Sequence, residues 1–221
     1  DSGGDPDCIP DLTYEDFVAF HRRYYAPSNA RIMMYGDVPL AENLAFLEQV
    51  LASFQRVEVD SSIPDEPAWT APRQLEIEYP VGSEDALEAK SFVSLTWRVN
   101  ETPDVETTLL LDVLCSALVG TAAGPMRRAL IDSQLGRDIF PPAAYDADIR
   151  YAAVSFGLRG TEAERADEIE NVVEATLRRL VAEGIPGDLL EAAFHQVEFS
   201  GREIVPPFPV MLLMRANPTW Y

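Results

Sequence analysis

Residues 151–183, YAAVSFGLRGTEAERADEIENVVEATLRRLVAE, change their hydrophobic period once, and that change decides the fold class. Ala152, Val154, Phe156 and Leu158 recur every second residue, which places them on one face of a strand. From about Glu162 the apolar residues Ile169, Val172, Val173, Leu177 and Leu180 recur three and four apart, the spacing of a helix with one buried stripe running to Glu183. A strand with one apolar face that leads into an amphipathic helix calls for a sheet covered by helices.

The same alternation of signals extends outward. Downstream, a further helix is expected over about 187–199. Upstream, strands are expected at Leu75, Ile77 and Tyr79, at Val93, Leu95, Trp97 and Val99, and over 139–149. Thr102 and Pro103 read as cap and first-turn proline of a helix from Val105 to Val119. The loop GTAAG then leads to Pro125 and a short helix that ends at Gly136. Strand pairs followed by helix pairs predict an α+β fold: a two-layer arrangement of largely antiparallel sheet packed with helices on one face.

The N-terminal part carries its own punctuation. Thr13 is placed to cap a helix, with Asp16 three residues on and Leu12 set to staple onto Phe17. Phe17, Phe20 and Tyr24 give that helix a stripe for burial, and Pro27-Ser28-Asn29 stops it. A strand over 30–35 and a helix over about 39–54, with Leu40, Leu44, Leu47 and Leu51 inward, complete the segment. Between Val57 and Arg73 acids and the prolines Pro64, Pro67 and Pro72 exclude both helix and central strand. This divides the chain into 1–56, a Pro/acid-rich linker 57–73, and 74–221, whose tail VPPFPVMLLMRANPTWY is broken by proline.

Composition narrows the function. The chain has 221 residues, 37 acidic against 17 basic side chains and a net charge of -20, so its field repels phosphates. No nucleic acid and no membrane is expected as a partner, and no apolar run approaches the roughly 18 residues of a membrane span. Cys8 and Cys115 form neither a disulfide framework nor a Cys-x-x-Cys motif, and Cys115 reads as a buried small hydrophobe.

No catalytic constellation assembles from the sequence. His195-Gln-Val-Glu198 opens an inverted zinc motif, His-x-x-Glu-His, but the closing position is Phe199. His21 lies on a helix flank, Gly120 to Gly124 lacks the lysine of a phosphate cradle, and Asp146 and Asp148 share a strand face without a partner group. Catalytic and metal residues are therefore assigned to none, and substrate-binding residues are not identified.

The segment SGGDP followed by IPDLTYEDFVAFHRRYYAPSNARIMMYGD resembles the insulinase-like (pitrilysin) zinc metallopeptidases, in particular the presequence-protease branch. LVGTAAGPMRRALIDSQLG and EGIPGDLLEAAFHQVEFSGRE are similar to later segments of the same branch, so the likeness runs in order over about 2–203. Gly124 departs from it, since the branch commonly has a serine before that proline.

The resemblance implies a large peptidase of four homologous domains that close around short unfolded peptides, with a zinc site on a helix preceding this segment. On that reading 1–56 is the end of the catalytic first domain and 74–221 is the second, non-catalytic domain. Zinc belongs to the full-length parent and none is expected in this fragment, which lacks the zinc-binding segment and should be inactive alone. Its partners are unfolded peptides, the remaining domains of the same chain, and other copies through exposed surfaces. The compartment is taken as cytoplasmic. The alternatives are part of a proteolytically inactive family member, acting as scaffold or peptide-binding subunit, and a free-standing binding domain. The pieces left without their own sheet are expected to pack on the second domain or a neighbouring chain.

Overall fold

The computed structural model describes residues 3–84, 86–203 and 210–213. The chain divides into two compact units, Asp1–Glu78 and Tyr79–Tyr221.

The first unit contains helices α1 (Tyr14–Tyr24) and α2 (Leu40–Leu51). Thr13 caps α1 as its spacing predicts: its hydroxyl accepts the Asp16 backbone N–H at 3.1 Å and donates to the Asp16 carboxylate at 2.6 Å. Ser28 Oγ donates to the Val57 carbonyl at 2.7 Å, and Ser61 Oγ to the Asn29 side chain at 3.0 Å, tying the prolyl turn after α1 to the Pro/acid-rich stretch.

Packing departs from expectation here. Phe17, Phe20 and Ile32 are 67, 58 and 52% exposed, so no described residue covers them. Leu12 and Phe17 are both exposed and form no staple, and Leu40 and Leu44 face solvent. Residues 30–35 form no strand. The alternating residues at 75–79 form none either, leaving Leu75 and Ile77 80 and 73% exposed. A period-two pattern decides which side chains would share a face, but a strand exists only where a neighbour completes its N–H and C=O ladder.

The second unit has the order β1 (Ser91–Glu101), α3 (Val105–Val119), α4 (Pro125–Asp132), β2 (Asp138–Ile139), β3 (Tyr145–Asp146), β4 (Tyr151–Thr161), α5 (Ala166–Glu183) and α6 (Gly187–Arg202). Its antiparallel four-stranded sheet has β4 at the centre: β1 lies along one edge, and β2 and β3 share the other. Val93, Leu95 and Trp97 stand opposite Leu158, Phe156 and Val154 on the face that α3, α4 and α5 cover, and α6 packs on α3. The fold is the predicted α+β layer.

The core is centred on that covered face. Met126, Leu130, Leu158, Ile169 and Val173 are fully buried, joined by Leu118, Val119, Ile139 and Phe156. Each such side chain contributes about 1.5–3 kcal/mol through removal from water.

Several boundaries differ from the sequence reading, among them α6, which runs on to Arg202. The expected strand over 139–149 is two separate two-residue strands, because the chain between them turns at Pro141 and Pro142. Asp104 rather than Thr102 caps α3, its carboxylate accepting the Thr107 N–H at 3.2 Å. Thr102 is buried and instead donates its hydroxyl to the Ile149 carbonyl, while its N–H bonds Arg150 O at 2.8 Å. Helix α4 stops at Asp132, where Ser133 Oγ donates to Leu130 O at 2.6 Å and Gln134 takes φ +58. Most of the proline-broken tail lies outside the described residues.

Candidate functional site

The residues that the sequence singles out do not converge. His195 lies exposed on α6, with Glu198 3.5 Å from Nδ1 and Glu191 3.9 Å from Nε2. The two nitrogens look out from different edges of the ring toward different carboxylates, so no single point is shared by all three groups. Phe199 stands where a second imidazole would close the motif. His21 stacks on Tyr25 in the other unit, ring centroids 4.7 Å apart. Among the described residues no group of three His, Cys, Asp or Glu side chains could hold a metal ion, and the residues present do not fit a zinc centre.

The other nominated features are structural. The Asp146 carboxylate accepts the Asp148 backbone N–H at 3.0 Å, which makes a local turn rather than a pair of carboxylates. Cys115 is 4% exposed, and burial, with Asp112 nearby, pushes its thiol up to about 12. In the loop before α4 the missing side chain of Gly124 is required by packing: a Cβ there would lie 2.5 Å from the Leu118 carbonyl oxygen. A serine at this position needs a different path for the loop.

Two surfaces of the second unit offer binding geometry. One is a groove of about 580 Å³ between α3 and α6, walled by Leu109 and Val113 on one side and Phe194 and Val197 on the other, with Asp112 and Glu198 also lining it. The second is the sheet face opposite the helices. There Phe92, Ser94, Thr96 and Arg98 of β1 pair with Arg159, Gly157, Ser155 and Ala153 of β4.

That sheet face is low in the middle and built up at both ends. Thr96 and Ser155 join hydroxyls across the strands at 2.9 Å over a floor of small residues. At one end Phe92 meets Phe140 and Tyr79 edge-on, with centroids 4.9 and 5.5 Å apart. At the other, the Arg98 guanidinium lies 3.3 Å from the centre of the Tyr151 ring. Beside the aromatic end, Asp138 is gripped by Arg159 at 2.7 Å and by Arg127 at 3.4 Å. Arg159's hydrogen bond, followed by that of the Ile139 N–H, holds the Asp138 carboxyl below its ordinary value. Among the described residues β1 pairs with β4 alone, so its other edge carries an open ladder eleven residues long.

Among the described residues the second unit is thus an α+β layer with one sheet face that no helix covers and no group of three His, Cys, Asp or Glu side chains placed to hold a metal ion. The chain belongs to the peptidase M16 inactive domain family, whose match covers residues 11–197, and within the insulinase-like peptidases it falls in the presequence-protease branch. It is 36% identical over 206 residues to presequence protease 1, chloroplastic/mitochondrial, of Arabidopsis thaliana, covering 92% of this chain and 19% of that protein. Identity to the mitochondrial presequence protease of Mus musculus is 33% over 221 residues, 99% of this chain and 21% of the relative. Protein HypA of Clostridium perfringens is 36% identical over 203 residues, 91% of this chain and 21% of the relative. The chain thus spans about a fifth of the length of the curated relatives it matches. A crystal structure of an M16-like peptidase from Alicyclobacillus acidocaldarius superimposes with TM-score 0.59 at 18% identity, over 91% of this chain and 46% of that one, and supports the fold.

Proposed function

We propose that this chain is a non-catalytic, peptide-chamber-forming part of a zinc metalloendopeptidase that degrades short unfolded peptides. Residues 1–56 are then the end of the catalytic first domain, 57–73 the linker and 74–221 the second domain, and the zinc is carried elsewhere in the full-length parent. The observation that supports this most is the helix-free sheet face beside the open edge of β1. An extended peptide laid along β1 satisfies backbone N–H and C=O groups whatever its sequence, and the Phe92–Phe140–Tyr79 cluster receives an apolar side chain. Such a mode suits many unrelated peptides, as relatives named presequence proteases would require.

Fluorescence anisotropy with a labelled unstructured peptide tests the reading. The chain is expected to bind it, to lose binding when alternate peptide nitrogens are methylated, and to weaken with Phe92→Ala. Equal affinity for the methylated peptide would overturn strand pairing as the mode. The purified chain is expected to hold no stoichiometric zinc and to cleave no peptide, while the full-length parent does both. A cytoplasmic location belongs to the same proposal, and recovery of the protein in an organelle fraction would overturn that part.

A second reading, in which the whole parent is proteolytically silent and serves as a scaffold or peptide-binding subunit, is equally consistent with a match to an inactive domain. Zinc content and peptidase activity of the full-length protein separate the two.

A further inference from the structure

The Ser91 end of β1 is closed by groups from outside the sheet. Ala89 takes φ +53, a left-handed conformation that turns a residue bearing a Cβ out of the extended path just before the strand begins. Its N–H donates to the Glu162 carboxylate at 2.6 Å, which fastens this turn to the residue that follows β4. The next carbonyl, that of Lys90, accepts the Tyr79 hydroxyl. A ladder built on β1 therefore meets an occupied carbonyl and then a turned backbone beside Ser91.

Tyr79 joins that closed end to the aromatic cluster. Its ring meets Phe92 edge-on while its hydroxyl holds Lys90, so both parts of the side chain are engaged, and both rings remain exposed to a ligand. Strand pairing by itself leaves the register open, because a shift of two residues keeps every side chain on its face and remakes the same backbone bonds. A block at one end of the strand removes that freedom. We propose that Tyr79 is a specificity-determining residue that stops a peptide on the edge of β1 and fixes its register, with one apolar residue of the peptide beside Phe92 and the ladder ending there.

This rests on the strand-pairing reading above and adds a direction to it. Every pair in the sheet is antiparallel, so an added strand runs from the Glu101 end toward Ser91 and reaches Tyr79 with its C-terminal side. Amides on the N-terminal side of the apolar residue pair with β1, and those on its C-terminal side do not. The ligand is then an extended peptide with one apolar residue at a fixed place, followed by a segment of any sequence.

Labelled unstructured peptides with a single leucine, each methylated at one backbone nitrogen, test it by fluorescence anisotropy on this chain. For the unaltered chain, methylation at alternate nitrogens before the leucine is expected to weaken binding about 5-fold, and methylation two or more residues after it to leave affinity within about 2-fold. Tyr79→Phe keeps the ring, frees the Lys90 carbonyl and should leave the urea midpoint unchanged. Leucine should still be preferred, while sensitivity to methylation spreads to the C-terminal side. Tyr79→Ala should show the same spread together with a weaker preference for leucine. A pattern unchanged in both variants would overturn the proposal and leave strand pairing standing. Indifference of the unaltered chain to every methylation would overturn strand pairing, and the proposal with it.

Discussion

Gly157 of β4 lies so close to β1 that an added Cβ would sit 1.9 Å from the carbonyl oxygen of Val93. The obstacle is backbone, which cannot rotate away as a side chain can. Gly157→Ala should therefore push the two longest strands apart and cost on the order of 3 kcal/mol or more, read as a lower urea midpoint. A change below about 0.5 kcal/mol would show that the strands separate at little cost.

A gentler version of the same conflict applies at Gly124. A Cβ there meets the Leu118 carbonyl at 2.5 Å, but the loop around it is short and exposed, so it can yield. Gly124→Ser is expected to cost about 1–3 kcal/mol, measurable by thermal or urea unfolding.

The two units should respond differently to truncation. Leu158→Ala empties a fully buried site and is expected to cost about 2–5 kcal/mol. Phe17→Ala in this chain should change stability by no more than about 0.5 kcal/mol, because Phe17 is already in water. Equal costs would mean that the first unit buries a core of its own.

Asp138 makes a prediction about pH. Its folded carboxyl is held below the ordinary 3.8, first by the Arg159 hydrogen bond and then by the Ile139 N–H, with Arg127 adding its charge. The contribution is therefore present above the ordinary value and is lost as pH falls through the depressed one. Both arginines and Asp138 are partly in water, which limits the contribution to about 0.5–1 kcal/mol. Asp138→Asn should lower the urea midpoint at pH 7, and the gap to the parent chain should close in strong acid and shrink in high salt. A gap that persists in acid would refute the ionic origin.

Thiol titration separates the two cysteines. Cys8 is exposed, whereas Cys115 is buried and its thiol is pushed up to about 12. A thiol-specific disulfide reagent at pH 8 should modify Cys8 alone in the native chain and reach Cys115 only after denaturation. Two equivalents reacting at once would place Cys115 in contact with solvent.

Much of the second unit was legible because its signals are local. The stripe of α5 and the dry face of β4 depend on residues a few positions apart, and Ile169, Val173, Phe156 and Leu158 are buried as that spacing requires. The Thr13 cap was readable for the same reason. The candidate site was not, since Phe92, Phe140 and Tyr151 come from separate strands and loops and share a face only through the register of β1, β2 and β4.

The sequence alone determined where the period is two, where it is 3.6 and where proline forbids both, because these are properties of neighbouring residues. It also determined that His195 lacks a second imidazole at residue 199. Tertiary structure decided the rest. Residues 30–35 and 75–79 have the composition of strands but form none among the described residues, Asp104 displaced Thr102 as a cap because the loop before β4 claimed the threonine, and no residue of α1 or α2 is buried among the described residues. Each of these outcomes turns on whether a distant part of the chain supplies a hydrogen bond or a covering surface, and no local pattern encodes that.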